Sequence, residues 1–306
     1  MICNIVANDY KTMSIGKSLV IDFVNVVRIQ YAPGNICKRD TLSDMKHMGE
    51  SDVKFMRYVE MMGDIVVDSI DSDVLLIAML YVQQTNFLHN VWVRRYKVKT
   101  ASDVKESSLG KRKTNTKTKK EYEVVNIASF VHTLHQCASQ AIGPEVQIEQ
   151  SKLTYILVMI FLLTGSDYTR KIPRIGPKSV WDKLHIIIPL ATLCVQSISI
   201  DTPHEYNIDP QKCTDILFSN LYREMFSKHV HTDEDDYDQV RHDLLESRLS
   251  EKVKSEMFNK EQLLCTVTNI QWVISYWKTI NTNPDIDAVN GTHGFCVLDG
   301  KVRYTD

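Results

Sequence analysis

The sequence predicts an α/β fold in which a mainly parallel central sheet is flanked by helices and followed by a mainly α-helical C-terminal region. Two short apolar runs, Leu19–Ile21 and Ile65–Val67, are typical of buried parallel strands. A helical pattern follows each of them: residues 53–59 keep their apolar positions on one helix face, and Val74–Val82 is an apolar block of helix length. Strand, helix, strand and helix in succession define an α/β layout.

Beyond Phe130 the hydrophobic pattern is helical almost throughout, which predicts the C-terminal helices. Three tryptophans, Trp181, Trp272 and Trp277, fall on these helices and are expected in the core rather than on a base-stacking surface. His132 and His135 are expected to be surface or core histidines rather than metal ligands, because no cysteine or acid at a suitable spacing completes a metal site with them. The predicted helices cover residues 131–140, 151–165, 177–186, 211–229, 237–257 and 261–278.

Charge is distributed unevenly along the 306 residues. The net charge of −2 does not mark the whole chain as a nucleic-acid binder, yet residues 94–120 carry eleven Lys/Arg against two acids. The basic clusters at 111–113 and 117–120 have no apolar partner, so the segment from 99 to 120 is predicted to be a mobile loop between two strands. Six cations of this basic loop are predicted to contact nucleic acid: Lys111, Arg112, Lys113, Lys117, Lys119 and Lys120.

The cysteine content and the hydropathy of the chain indicate the cellular compartment in which it is expected. The chain has seven cysteines and no C-x-x-C pair. An odd number without a recognisable signal peptide predicts reduced thiols, and therefore a place in the nucleus or cytoplasm. The longest apolar runs, Leu153–Leu163 and His185–Val195, are too short to span a bilayer, so no membrane partner is expected.

Six carboxylates stand where the predicted elements meet one edge of the sheet. Ligands bind at the carboxyl ends of strands in open α/β sheets, so these side chains are expected to converge. Crowded like charges raise each other's pKa unless a cation neutralises them, and oxygen-only ligation suits Mg²⁺ or Mn²⁺. Two such ions can activate a water and stabilise the leaving oxygen of a phosphodiester. The predicted catalytic and metal-binding residues are Asp22, Glu50, Asp52, Asp71, Asp73 and Asp167.

A second motif is a helical hairpin rich in glycine, proline and cations. Gly176 permits close approach of a ligand, and Pro177 suits the first position of a helix, where its missing N–H costs nothing. The amides at such a helix start can bind a backbone phosphate. The predicted nucleic-acid contacts of the hairpin are Arg174, Gly176, Pro177, Lys178 and Lys183.

These blocks, in this order, resemble the flap endonucleases and other XPG-type 5′ nucleases of the PIN-like superfamily. Gly49–Asp52 followed by Asp71–Asp73 is similar to the family's E-x-E and D-x-D pairs, and Leu162–Tyr168 followed by Ile172–Lys178 is similar to its L-L-G-x-D-Y and I-x-G-I-G-P-K signature. The resemblance covers about residues 8–190. It implies a PIN-like nuclease core over 1–190, with a helix-three-turn-helix at about 164–190, and leaves 191–306 as a helical region of unknown role.

The resemblance implies a metal-dependent nuclease that hydrolyses phosphodiester bonds in 5′ flap-like or branched DNA by a two-metal-ion mechanism. Asp71, Asp73 and Asp167 would hold one Mg²⁺ or Mn²⁺ ion. Glu50, Asp52 and Asp22 would position the other ion and its water. In the family the hairpin grips duplex DNA, often with a K⁺ ion held by loop carbonyls.

The chain also departs from the family pattern. It has no Gly-rich segment before Asp22 and lacks one Asp of the family set, and only 27 residues separate Asp22 from Glu50, which leaves no room for a helical arch. Asp52 replaces a Glu, and Arg174 stands at a position that is usually Gly.

Two alternatives therefore stay open beside a DNA nuclease. One is a catalytically reduced scaffold that binds nucleic acid or, through residues 191–306, a protein partner. The other is an RNA endonuclease, since the segment 22–25, Asp-Phe-Val-Asn, is similar to the host shut-off ribonucleases of large DNA viruses.

Overall fold

The chain divides into two compact units, each of which is considered by itself. The first comprises Met1–Ile65 and Thr279–Ile286, and the second comprises Val66–Lys278 and Asp287–Asp306. The second unit runs across the division that the sequence predicts near residue 190. The structure, a computed structural model, describes residues 18–21, 27–31, 37–41, 55–56, 58–59, 63–69, 71–96, 122–143, 146–166, 168–198, 205–279, 295–298 and 301–304.

The smaller unit contains a three-stranded antiparallel sheet in the order β1-β2-β3. The strand predicted at Leu19–Ile21 is confirmed, but its parallel pairing is wrong: Leu19 lies opposite Ile29 of an antiparallel neighbour. The reason is the length of the connections, because the few residues between these strands can make a hairpin but not the long crossover that parallel strands require. The strands are β1 (Ser18–Ile21), β2 (Val27–Tyr31) and β3 (Cys37–Thr41).

The helical pattern predicted around residues 53–59 is confirmed at the positions that the structure describes. Residues 55–56 and 58–59 are helical, and Met56 and Val59 are buried. Gly63 ends the turn with a φ of 81°, and its amide donates to the carbonyl of Val59 at 2.7 Å. A positive φ is the conformation that glycine adopts without steric cost.

The larger unit contains a second sheet in the order β4-β5-β6. This sheet is small and mixed rather than mainly parallel, and β5 and β6 pair antiparallel with Val93 opposite Val125. The α/β class is therefore confirmed, while the prediction of a mainly parallel sheet is wrong. The elements are β4 (Ile65–Asp68), α1 (Ser72–Gln84), β5 (Val91–Tyr96) and β6 (Tyr122–Asn126).

The rest of the larger unit is mainly helical, as the sequence predicts. A π-helical segment, Cys213–Phe218, separates α6 from α7. No helix in the described ranges is both long and apolar enough to cross a membrane. The elements are α2 (Ile127–Ile142), α3 (Gln150–Leu162), α4 (Pro177–Asp182), α5 (Leu184–Cys194), β7 (Val195–Ser197), β8 (Tyr206–Ile208), α6 (Pro210–Lys212), α7 (Ser219–Met225), α8 (Tyr237–Glu246), α9 (Glu251–Glu256), α10 (Lys260–Thr279), β9 (Phe295–Leu298) and β10 (Lys301–Tyr304).

Helices α1 and α3 pack against each other in the core of this unit. Nine of the 13 residues of α1 and ten of the 13 of α3 are buried, which is typical of helices surrounded by protein. The Thr154 hydroxyl near the start of α3 donates to Gln83 Oε1 at the end of α1, at 3.2 Å. The same hydroxyl lies 2.9 Å from Nε2 of buried His135 on α2. This polar chain joins three helices at one end of the core.

Protonation of His135 should weaken the fold at mildly acidic pH. Burial, together with nearby His132, lowers the pKa of His135 from its ordinary value of 6.5. The unfolded chain therefore takes up a proton first, and stability falls as the pH drops from about 6.5 towards the lower pKa of the folded state. We expect the free energy of unfolding of His135→Gln to fall less steeply than that of the wild type over this window, in urea titrations at several pH values.

His242→Gln is the matched control, because His242 is exposed on α8 and is not among the groups that lower the pKa of His135. It should retain the wild-type slope. A His135→Gln variant that loses stability with pH as steeply as the wild type would show that other groups cause the acid sensitivity.

Candidate active-site cleft

A cleft of about 440 Å³ lies in the larger unit, where the start of α1 meets the loop that follows α3. Residues about 90 positions apart in the sequence form its two walls. The cleft therefore unites the D-x-D pair with the loop of the second sequence block. The lining residues are Asp71, Ser72, Asp73, Thr164, Gly165, Ser166, Thr169, Arg170 and Lys171.

The acidic wall is built by the N-terminus of α1. Asp71 is the N-cap, with an extended backbone, and its Oδ1 accepts from the amide of Asp73 at 2.9 Å. The amide of Asp71 donates to the Ser69 hydroxyl at 3.0 Å, which holds the connection from β4. Aspartate is a preferred N-cap residue, so the D-S-D motif begins the helix by itself.

Asp73 lies in the first turn of α1 and is only 3% exposed. Taking a carboxylate out of water is costly unless other groups compensate for the lost hydration. Its position at the N-terminus supplies part of that compensation, because the partial positive charge of the helix dipole lies there. The two carboxylates at the start of α1 therefore have different surroundings: Asp71 caps the helix, and Asp73 is buried.

The opposite wall is a tight turn between Ser166 and Thr169. The Ser166 amide donates to the Thr169 carbonyl at 3.2 Å, and the Ser166 hydroxyl accepts from the amides of Tyr168 and Thr169, both at 3.1 Å. The buried Thr169 hydroxyl donates to the Leu162 carbonyl at 2.9 Å, which joins the turn to the end of α3. These bonds fix the backbone on both sides of position 167.

Gly165 is required where this loop closes on itself. Its φ is +94°, and a Cβ at this position would lie 2.7 Å from the Cβ and 2.9 Å from the Cα of Lys171. Neither the backbone angle nor the space admits a larger residue. The close approach of Gly165 to Lys171 sets the shape of this wall.

Helix α10 contacts the loop of the opposite wall through Tyr168. The Asn269 side-chain amide donates to the Tyr168 carbonyl at 3.3 Å, and the Tyr168 ring lies edge-on to Trp277, with 5.5 Å between ring centroids. Asn269 and Trp277 are both buried. The tyrosine of the D-Y motif therefore packs against the C-terminal helix.

Two cations on the cleft, Arg170 and Lys171, were not among the predicted site residues. Both are exposed, and the Arg170 guanidinium lies over the Phe258 ring at 4.8 Å. They lie eight and nine residues beyond the end of α3, in the loop that lines the cleft. The sequence feature that could have identified them as site residues is their position between the D-Y motif and the hairpin.

The structure places two of the six predicted carboxylates, Asp71 and Asp73, in the cleft. The other four, Asp22, Glu50, Asp52 and Asp167, lie outside the described residues. Within the described ranges no group of three His, Cys, Asp or Glu residues is arranged to hold a metal ion. The six predicted cations of the basic loop 99–120 also lie outside the described residues.

The hairpin begins as the sequence predicts. Gly176 is the N-cap of α4, with φ −117° and ψ 163°, and Pro177 follows at the first helical position. A Cβ on Gly176 would meet no protein atom within 4 Å. The space beside this backbone is therefore open on the protein side, as close approach by a ligand requires.

The hairpin cations differ in their surroundings. Arg174 pairs with Glu256 of α9 at 2.9 Å, and Lys183 pairs with Glu224 of α7 at 3.0 Å, whereas Lys178 is exposed on α4. Arg174 has a φ of 68°, which explains on steric grounds why glycine suits this position. Two of the three cations that the sequence assigns to nucleic acid thus also tie the hairpin to the C-terminal helices.

The prediction that the three tryptophans belong to the core is confirmed for Trp277 and is wrong for Trp181, which is 43% exposed, while Trp272 is half-buried. The reason is the shortness of α4, which buries Val180 and turns the next residue outward. Of the two histidines, His132 is exposed and hydrogen-bonds Gln136, whereas His135 is buried and hydrogen-bonds Thr154.

Comparison with known proteins gives no relative: no protein-family model matches the chain, and neither a curated protein nor a solved structure is significantly similar to it.

Replacing Gly165 by alanine should destabilise the protein strongly. The added Cβ would overlap the Lys171 backbone and hold the residue at a positive φ, so we expect a loss of at least about 1 to 3 kcal/mol in the free energy of unfolding. Urea unfolding of the wild type and of Gly165→Ala measures this loss.

Gly176→Ala is the matched control, because the same atom added there meets nothing and the backbone is extended. Its stability should stay within about 0.5 kcal/mol of the wild type. Equal stabilities for the two variants would mean that the loop does not require the close approach of Gly165 to Lys171.

Proposed function

We propose that the chain is a metal-dependent nuclease that hydrolyses phosphodiester bonds in 5′ flap-like or branched DNA. One observation carries the proposal: Asp71 and Asp73 share a cleft with residues 164–166 and 169–171, which flank position 167 in the sequence. This association joins the two sequence blocks on which the resemblance rests, although nearly 90 residues separate them.

The described donors of the cleft fit a hard divalent cation. Carboxylate oxygens from Asp71 and Asp73 are the ligand type that Mg²⁺ and Mn²⁺ prefer, and neither cysteine nor histidine is among the described residues that line the cleft. When bound, the ions would activate a water and stabilise the leaving oxygen. The residues proposed to hold them are Asp22, Glu50, Asp52, Asp71, Asp73 and Asp167, and the hairpin is proposed to hold a K⁺ ion.

Positive charge beside the acidic wall supports a polyanionic substrate. Residues 170–183 contain five Lys/Arg and one acid, in a chain whose net charge is −2. Arg170 and Lys171 reach the cleft itself, where they can bind the phosphates on either side of the bond to be cut. The ion pairs of Arg174 and Lys183 are at the surface and contribute only about 0 to 1 kcal/mol, so a phosphate can replace their carboxylates.

Cleavage assays test the reaction class directly. The purified chain should cut a 5′ flap DNA in Mg²⁺ or Mn²⁺ and should leave it intact in EDTA. Hairpin RNA and single-stranded DNA serve as comparison substrates. Preferential cutting of the RNA would favour an RNA endonuclease, and binding of the flap without cleavage in either metal would favour a nucleic-acid-binding scaffold.

Asp71 allows the catalytic role of a carboxylate to be separated from its role as a helix cap. Asp71→Asn keeps a capping oxygen for the Asp73 amide, whereas Asp71→Ala removes it and should cost about 1 kcal/mol of stability. Both variants lose the negative charge, so both should lose at least about a hundredfold in cleavage rate if the charge holds the metal.

The measurements are urea unfolding without metal and single-turnover cleavage in Mn²⁺. Asp233→Asn, a change at an exposed carboxylate outside the cleft, should leave both unchanged. Wild-type cleavage by Asp71→Asn would refute a metal-holding role for this residue.

The hairpin can be tested through the open space at Gly176. Gly176→Val should preserve the fold, because the backbone there is extended and an added Cβ meets no atom within 4 Å beyond its chain neighbours. It should nevertheless impair duplex binding more than Lys178→Ala, because a branched side chain keeps the duplex backbone at a distance, whereas loss of one lysine removes a single phosphate contact. Binding constants for duplex and single-stranded DNA at one salt concentration provide the comparison. A larger loss for Lys178→Ala would mean that the segment acts only through its charge.

A further inference from the structure

Trp181 presents an indole ring to solvent on α4. It is 43% exposed, while its neighbour Val180 is 1% exposed and belongs to the core. A large aromatic side chain that stays in water at an ordered helix gains nothing for the fold from its exposed part. The exposed part of the indole is therefore available to a binding partner.

The surroundings of Trp181 point to one kind of partner. On α4, Pro177 and Lys178 precede Trp181 by four and three residues and so share its side of the helix, and both are exposed. Gly176 begins the same helix with open space beside its backbone. We refer to Gly176, Pro177, Lys178 and Trp181 as the α4 face. It combines an aromatic ring, a cation and accessible backbone.

Local charge distinguishes this indole from Leu88, another exposed apolar side chain. Leu88, which is 73% exposed, lies in a stretch from 69 to 93 without any Lys or Arg, whereas Trp181 lies among the five cations of residues 170–183. A protein-binding patch needs no such excess of one sign. A partner that is at once anionic and aromatic, as a nucleic acid is, complements both features.

We propose that Trp181 stacks on an unpaired base beside the duplex that the hairpin holds, so that the ligand of the α4 face is a junction between single-stranded and double-stranded nucleic acid. The inference rests on the proposed function and deepens it, because it names the feature of the substrate that this surface recognises. Base–aromatic stacking tolerates any sequence, since every base has a π-face. Lys178 would contact the neighbouring phosphate, which makes the affinity dependent on salt.

Equilibrium binding in EDTA tests the proposal without any cleavage. Three fluorescein-labelled DNA probes are compared at one fixed salt concentration: a blunt duplex, the same duplex with an unpaired 5′ tail, and the tail alone. Trp181→Ala should weaken binding of the tailed duplex roughly tenfold or more and leave the blunt duplex within about twofold, while Trp181→Phe retains most of the affinity. Leu193→Ala, which removes an exposed apolar side chain from α5, is the matched control and should bind all probes as the wild type does.

Intrinsic fluorescence provides a second readout. The chain has four tryptophans, and stacking on a base should quench the emission of Trp181 when unlabelled tailed duplex binds the wild type. Trp181→Phe should still bind and should lose most of the quenching. Thermal melting of each variant verifies that it is folded.

The outcomes separate this inference from the proposed function. Wild-type affinity of Trp181→Ala for the tailed duplex, or equal losses on tailed and blunt duplexes, overturns the stacking role, and cleavage by that variant in Mn²⁺ leaves the nuclease proposal intact. Selective loss on the tailed duplex by a chain that never cleaves supports stacking and counts against the nuclease. A wild-type chain that binds no probe overturns both and favours a protein as the partner of the α4 face.

Discussion

The antiparallel packing of α1 against α3 determines where everything in the cleft can lie. Gln83 at the end of α1 meets Thr154 near the start of α3, and the start of α1 meets the loop after α3. Since both helices are buried on nearly all sides, neither can slide or rotate without moving large apolar side chains into water, at about 1.5 to 3 kcal/mol each. A surface ion pair supplies about 0 to 1 kcal/mol and could not displace them. The two ends that form the cleft are therefore fixed by hydrophobic burial.

The same packing explains how opposite charges come to face one another. The N-terminus of α1 favours the carboxylates of Asp71 and Asp73, and the cations Arg170 and Lys171 lie in the loop that follows the C-terminus of α3. Antiparallel helices put these unlike ends together. The result is a cleft with an acidic wall and a basic rim, in which one side suits metal ions and the other suits phosphate.

Local signals made much of this arrangement predictable from the sequence. The D-S-D motif after an apolar strand begins a helix through its own capping bond, and Gly-Pro at 176–177 begins another, because both depend on neighbouring residues only. Strand direction was mispredicted because apolar runs in parallel and antiparallel strands look alike when the connections are not weighed. The pairing of Arg174 with Glu256 could not be predicted, since it depends on how α9 packs against the hairpin 82 residues earlier in the chain. The four remaining carboxylates of the predicted site stay predictions.

Because Tyr168 contacts α10, the loop of the cleft depends on residues that are synthesised long after both sequence blocks. Synthesis proceeds from the N-terminus, and upstream segments begin to fold before downstream ones have emerged. Asp71 and Asp73 can enter their helix early, but the loop opposite them lacks its support until Asn269 and Trp277 have left the ribosome. A nascent or prematurely terminated chain would therefore carry both sequence blocks and half a cleft. The complete cleft can therefore assemble only after synthesis has passed Trp277.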